Sequence, residues 1–105
     1  MNDISIVGMG VVGSAVSESF KCREISHYCY DKYKAVGEMD NILFSKLIIA
    51  CLPTPNIEDA MYDLSEIYNL LDFLEENYYS GEVCIKSTMV PGTTKNFDEK
   101  YSFRI

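Results

Sequence analysis

The sequence predicts an α/β fold of three layers, in which helices cover both faces of a parallel sheet of four to five strands. Two observations support this prediction. Short apolar segments alternate with stretches of helical periodicity along all 105 residues. Segment 46–52 (KLIIACL) is apolar on both faces, which is typical of a central parallel strand. We therefore expect residues 1–105 to form one domain with strand order 2-1-3-4, and the last partial strand outside it.

Each element follows from a local pattern. Apolar, β-branched and aromatic runs predict strands at 4–7, 25–30, 46–52 and 82–86, and the beginning of a fifth strand at 101–105. Helical spacing predicts a helix after the first strand, carried by Val11, Val12, Ala15, Val16 and Phe20. Further helical segments are predicted at about 39–43 (one turn), at 64–78 after a looser turn, and just after Pro91-Gly92.

Composition excludes several classes of function. The chain is 48% hydrophobic, with 9 basic and 16 acidic residues and a formal charge of −7, which disfavours nucleic acid and anionic membranes as partners. It has no apolar run of membrane-spanning length, and its N-terminus lacks the features of a signal peptide, so we expect a cytoplasmic protein. The four cysteines form no C-x-x-C pair and His27 is the one histidine, so we expect neither a metal site nor a Ser-His-Asp triad.

A glycine-rich loop follows the first predicted strand and opens the first helix. Its sequence is Gly8-Met9-Gly10-Val11-Val12-Gly13. In this context Gly8 permits a tight turn, Gly10 lets a pyrophosphate approach the backbone, and Gly13 lets the helix pack close to the strand. The free N–H groups of the helix N-terminus would then hold the phosphates without lysines. The alternative is a glycine-rich turn that serves packing alone.

An acidic residue, Asp31, ends the second predicted strand. A carboxylate at this place can accept hydrogen bonds from the adenosine ribose and would repel a 2′-phosphate, which favours NAD over NADP. Lys32 and Lys34 follow closely and soften this preference, because either could meet a phosphate. The alternative is a solvated aspartate in a turn.

Two further loops follow parallel strands and should therefore lie at the carboxyl edge of the sheet, where ligands bind in open α/β folds. The first contains Pro53 and Thr54, and the second contains Ser87 and Thr88. Small hydroxyl side chains and rigid prolines there could line the ribose and nicotinamide of a cofactor. Taken alone, each segment is better explained as a turn with capping residues than as a cofactor contact.

Together these motifs resemble the N-terminal half of the UDP-glucose/GDP-mannose dehydrogenases over residues 4–94. In chain order the motifs are G-x-G-x-V-G, the acidic residue, L-P-T-P and K-S-T-x-x-P-G-T-T. The resemblance implies a Rossmann-type fold and NAD as cofactor. It further implies an enzyme that oxidises the C6 alcohol of a sugar nucleotide to a carboxylate. In this family the nucleophilic cysteine, the catalytic lysine and asparagine, and the sugar-nucleotide site lie beyond the segment that resembles this chain. The stretch between Asp31 and Lys46 is also shorter than in the family.

We assign no catalytic residue. Cys51 and Cys84 fall inside predicted strands, where burial would raise the pKa of each thiol and make it a poor nucleophile. Cys22 follows the first helix, and Cys29 and His27 lie in the second strand, away from the carboxyl edge. We predict that His27 is a structural histidine.

The sequence therefore predicts the NAD-binding domain of a nucleotide-sugar dehydrogenase that is inactive alone. A sugar nucleotide would join NAD as a partner only when the missing half is supplied. Two alternatives remain: a stand-alone NAD-binding regulatory or interaction module, and a scaffold that has lost its ligand. A truncated sheet would expose an apolar edge, through which the chain could form a homodimer.

Overall fold

The computed structural model describes residues 3–58, 61–87 and 93–105. Its elements, in chain order, are β1 (Ile4–Val7), α1 (Val11–Cys22), β2 (Tyr28–Tyr30), a 3₁₀ helix (Met39–Phe44), β3 (Leu47–Ala50), β4 (Asn56–Glu58), β5 (Met61–Tyr62), α2 (Ser65–Glu76), β6 (Glu82–Ile85) and α3 (Thr93–Lys100). For the four strands of the main sheet and the helices between them, the alternation is the predicted one.

The main sheet has four parallel strands in the order β2-β1-β3-β6. This order confirms the predicted 2-1-3-4 arrangement, because β6 is the fourth of the predicted strands. The register aligns Ser5 of β1 with Ile48 of β3, and Ile48 with Val83 of β6. The strands therefore end together, and the loops that follow them meet at one edge.

One face of the sheet packs against α2 and α3 and carries most of the core. Ile48 and Val83 from the sheet join Ile67 and Leu71 of α2 and Phe97 of α3 in one buried cluster. Burial of a large aliphatic or aromatic side chain stabilises the fold by about 1.5–3 kcal/mol. The spacing of Ile67, Leu70, Leu71 and Leu74 explains why this helix forms, since these residues make one apolar stripe.

The opposite face of the sheet packs against α1 but is left open at β6. Ile6 and Ile49, which are paired in the register, are buried there. Cys84 is the next residue in that row, and it is exposed. The prediction that Cys84 is buried is therefore wrong, because α1 does not reach the outer strand. Glu82, on the same face of β6, is exposed as well.

Three further differences concern element boundaries. The second strand begins at Tyr28 rather than at residue 25, so His27 precedes it. The looser turn expected before α2 contains an antiparallel pair of short strands, β4 and β5. The fifth strand is reduced to one parallel bridge between Glu82 and Arg104, although Tyr101 and Phe103 keep the alternate burial of a strand.

Candidate functional site

The loop between β1 and α1 lies tightly against the ends of two neighbouring strands. The N–H of Gly8 donates to the carbonyl of Tyr30 at 2.8 Å. Gly8 has φ +94, and a Cβ there would lie 2.9 Å from the carbonyl carbon of Cys51 and closer still to its oxygen. Only glycine combines this backbone conformation with so close an approach. The first glycine is thus required by the turn itself.

The other two glycines of the motif have opposite surroundings. A Cβ on Gly13 would lie 2.9 Å from the carbonyl carbon of Gly8 and even nearer to its oxygen, so α1 rests directly on the loop. A Cβ on Gly10 would meet no atom within 4 Å. Packing therefore explains Gly8 and Gly13, whereas Gly10 faces open space. The space beside Gly10 is what the backbone approach of a pyrophosphate requires.

Gly10 is also the N-cap of α1. No side chain caps this helix end, and the first turn contains no acidic residue. The first helical bond runs from the N–H of Ser14 to the carbonyl of Gly10 at 2.9 Å. The N–H groups before it have no helical acceptor and carry the positive end of the helix dipole. The open space next to Gly10 thus adjoins a helix terminus that favours anions.

Asp31 directly follows β2 and is 9% exposed. One carboxylate oxygen, Oδ2, accepts the N–H of Met9 at 2.7 Å, and Oδ1 accepts the N–H groups of Tyr33 and Lys34 at 2.9 and 3.0 Å. Burial raises the pKa of Asp31, but these three backbone donors and the charge of Lys34 outweigh it, so the pKa lies below its ordinary value. Asp31 is a carboxylate that joins the loop after β2 to the glycine loop. A carboxylate offers about four acceptor positions, so these three bonds leave one position on Oδ2 unused.

The loops after β3 and β6 are joined by a hydrogen bond. The hydroxyl of Ser87 donates to the carbonyl of Leu52 at 2.7 Å. Ser87 therefore has a positioning contact at the place where the sequence predicts a cofactor contact. Thr54 lies in the neighbouring loop and is partly buried.

These four loops enclose a cleft of about 790 Å³ at the carboxyl edge of the sheet. Most residues of the predicted cofactor site line it: Gly8, Gly10, Val11, Val12, Asp31, Lys32, Pro53, Thr54 and Ser87. Gly13 lies beneath the glycine loop and supports it. Thr88 falls outside the described residues. The structure thus brings into one cleft residues that are widely separated in sequence.

The cleft also contains residues that the sequence analysis did not assign to the site. They are Val7, Tyr30, Tyr33, Met39, Cys51, Leu52, Glu66, Asn69, Leu70 and Lys86, and Lys34, which was considered only as a charge near a phosphate, lines the cleft as well. The hydroxyl of Tyr33 donates to Oε1 of Glu66 at 2.6 Å, and this bond raises the pKa of Tyr33. Glu66, Asn69 and Leu70 have the i, i+3, i+4 spacing of one helix face. That spacing was visible in the sequence, but it does not say which face of α2 meets the cleft.

The cysteines and the histidine have no place in a catalytic arrangement. Cys51 was expected to be buried inside the third strand, but it follows β3 and is half-buried; burial raises the pKa of its thiol, as predicted. His27 donates from Nδ1 to the carbonyl of Ile25 at 2.9 Å, and its Nε2 lies 2.7 Å from the hydroxyl of Ser17. In the neutral ring Nε2 accepts from that hydroxyl, so both ring nitrogens are satisfied. His27 is a structural histidine, although it precedes the strand rather than lying within it.

Metal-binding clusters and membrane-spanning helices are both absent from the part of the chain that the structure describes. Within 3–58, 61–87 and 93–105, no three histidine, cysteine or acidic side chains gather in a way that could hold a metal ion. In the same part of the chain, no helix is long and apolar enough to cross a membrane.

The parallel sheet, its flanking helices and the glycine loop at the start of α1 define a Rossmann-type α/β domain with a cleft at the carboxyl edge. Among solved structures, this chain is similar to the GDP-mannose dehydrogenase of Pseudomonas aeruginosa, crystallised as a ternary complex, with a TM-score of 0.74 and 19% sequence identity. The similar region covers 97% of this chain and 33% of that chain. The predicted resemblance to nucleotide-sugar dehydrogenases is thus confirmed at the level of the fold. Neither protein-family models nor curated proteins give a match.

Proposed function

We propose that this chain is a dinucleotide-binding domain of the nucleotide-sugar dehydrogenase type, and that NAD binds in the cleft at the carboxyl edge of its sheet. The observation that carries the proposal is Gly10. It is the one glycine of the motif whose missing side chain leaves open space, and this space adjoins the uncapped N-terminus of α1. Packing alone does not explain a glycine at this position.

In this proposal, the N–H groups of the first turn of α1 hold the pyrophosphate. Asp31 accepts one hydroxyl of the adenosine ribose through the remaining position on Oδ2, while its other contacts keep the two loops together. Thr54 and Ser87 border the nicotinamide half of the cleft, opposite Asp31. Lys32 and the exposed Val11 and Val12 lie at its walls.

The bound cofactor would supply a hydride acceptor, and this chain would supply orientation and electrostatics. In the cleft, the hydroxyl of Tyr33 donates to Glu66, and this bond raises the pKa of Tyr33, which disfavours its use as a nucleophile. Cys51 is the cleft's one described cysteine, and its raised pKa disfavours the thiolate. We therefore propose that the chain binds NAD but does not oxidise a sugar nucleotide alone.

The test is a titration of the chain with NADH, followed by fluorescence and calorimetry, beside the variant Gly10→Val. We expect the wild type to bind and Gly10→Val to lose at least tenfold in affinity, about 1.4 kcal/mol, because the side chain fills the space of the phosphate. Ser80→Val is the control, since it places the same valine side chain at an exposed position after α2, away from the cleft. NADPH is the second titrant, and the charge of Asp31 predicts weaker binding for it.

Absence of heat and of any thermal shift at millimolar NAD would refute the proposal in favour of a ligand-free scaffold. Equal affinity of the wild type and Gly10→Val would mean that the phosphates lie elsewhere. The coding sequence after codon 105 tests the dehydrogenase half of the proposal. A following domain with a cysteine supports it, and a stop codon supports the stand-alone module instead.

A further inference from the structure

The main chain of Met9, between the first two glycines of the loop, is held by three side chains. Its N–H donates to Oδ2 of Asp31 at 2.7 Å. Its carbonyl oxygen accepts from Nζ of Lys34 at 2.7 Å and from the hydroxyl of Ser14 at 3.0 Å. By contrast, the N–H of Gly8 and the carbonyl of Gly10 bond to main-chain groups, those of Tyr30 and Ser14. The use of two side chains on one exposed carbonyl calls for a physical reason.

The reason lies in the residue that follows. In a trans peptide, the carbonyl of Met9 and the N–H of Gly10 point in opposite directions. Turning this peptide plane over would give Gly10 a positive φ in place of its present −76, and glycine tolerates positive φ without steric cost. Glycine at position 10 therefore does not itself fix the orientation of this peptide.

A turned peptide would be harmful to anion binding. The carbonyl oxygen of Met9 would then occupy the place that the N–H of Gly10 now holds. This place is on the side of the loop that faces away from Lys34 and Ser14. A carbonyl oxygen carries partial negative charge and repels a phosphate, whereas an N–H attracts it. The loop therefore needs a restraint that Gly10 itself cannot supply.

We infer that Lys34 and Ser14 are positioning residues that restrain the Met9–Gly10 peptide in the orientation that receives an anion. This inference rests on the proposed function. Lys34 acts through the carbonyl oxygen of Met9, and its own N–H is bonded to Asp31, which holds the N–H of Met9. The loop after β2 thus restrains Met9 from both of its main-chain groups.

Lys32 provides a matched control. It lies two residues away, carries the same charge and lines the same cleft. Its Nζ lies over the ring of Tyr33, 5.5 Å from the ring centroid. Within the described residues, Lys32 makes no hydrogen bond to the glycine loop. Its removal therefore measures the effect of the positive charge without the bond to Met9.

The experiment compares Lys34→Met, Ser14→Ala, their double variant, Lys34→Arg and Lys32→Met. NADH affinity is measured at low and high salt, and the amide resonance of Gly10 is followed by ¹H–¹⁵N spectra of the ligand-free chain. We expect the double variant to lose at least tenfold in affinity, Lys32→Met to lose about twofold, and Lys34→Arg to stay within about threefold of the wild type. In the ligand-free double variant, the Gly10 resonance should shift or broaden while the melting temperature changes little.

Two results would overturn the inference. One is an equal loss in Lys34→Met and Lys32→Met with the same salt dependence, which would mean that Lys34 acts by charge alone. The other is an unchanged Gly10 resonance in the double variant. If the wild type binds no NADH, the proposed function fails, and the Gly10 resonance still decides whether the restraint exists.

Discussion

The three glycines of the loop should respond very differently to the same small change, and the contrast between Gly13→Ala and Gly10→Ala tests the geometry directly. An added Cβ on Gly13 would lie 2.9 Å from the carbonyl carbon of Gly8, whereas ordinary carbon–carbon contacts are about 3.5–4.0 Å. The carbonyl oxygen of Gly8 would lie closer still, so helix α1 would have to withdraw from the loop by more than about 1 Å. Gly13 is buried, so the helix cannot relieve the overlap by turning the side chain into solvent.

The magnitude follows from opposing effects. Overpacking of this kind costs about 1–3 kcal/mol, and the overlap with a backbone carbonyl places Gly13→Ala at the upper end. The better helix propensity of alanine returns up to about 1 kcal/mol. A net loss of about 2 kcal/mol lowers the melting temperature of a domain of this size by about 8–16 °C.

Gly10→Ala should leave the melting temperature within about 3 °C. Alanine is a poorer N-cap than glycine by about 0.5 kcal/mol, but its smaller backbone entropy in the unfolded chain offsets this loss at a compatible φ of −76. The assay is thermal unfolding followed by circular dichroism for the wild type and both variants. If Gly13→Ala melts at or above the wild-type temperature, the close approach of α1 to the glycine loop is not a property of the folded protein.

The remaining predictions concern titration and thiol chemistry. Burial, together with the charge of Glu82, raises the pKa of Tyr79 to about 12, and burial with the hydrogen bond to Asp72 raises the pKa of Tyr101. The tyrosines of the unfolded chain lose their protons at lower pH than those of the folded chain. Their contribution to the free energy of unfolding is therefore fully present below about pH 10 and falls as pH rises, by up to about 1.4 kcal/mol per pH unit for each tyrosine. Urea unfolding from about pH 9 to 12 should show this slope, and Tyr79→Phe should reduce it. Exposed Cys22 and Cys84 should react with iodoacetamide at least tenfold faster than Cys51, because the thiol of Cys51 is half-buried and has a raised pKa. Peptide mass spectrometry over time measures the three rates, and an equally fast reaction of Cys51 would contradict the prediction.

Much of the fold could be predicted because its signals are local. The run KLIIACL and the stripe of Ile67, Leu70 and Leu74 have periods that belong to one kind of element each. The order of the strands then follows from the alternation of strands and helices. Cys84 was misplaced because its neighbours in sequence are apolar, whereas its exposure depends on whether α1 extends over β6.

Most residues predicted to bind a cofactor line one cleft, but the sequence did not reveal the contacts they make there. Asp31 was expected as a ribose acceptor, and the sequence could not reveal that three backbone N–H groups already occupy most of its carboxylate. Lys34 was expected only as a charge near a phosphate, and the structure bonds it to the carbonyl of Met9. Such contacts depend on how loops from different strands meet, which no local pattern encodes.

The sequence by itself determined the order of the elements, the glycine loop at the first turn, and the four segments that end at one edge of the sheet. These follow from side-chain periodicity and from backbone conformations that only glycine and proline favour or forbid. Only the tertiary structure decided that neighbouring backbone fills the space beside Gly8 and Gly13, whereas the space beside Gly10 is open. The physical reason is that the space around a missing side chain is set by the neighbouring chain segments, here the carbonyls of Cys51 and Gly8, and not by the residue itself.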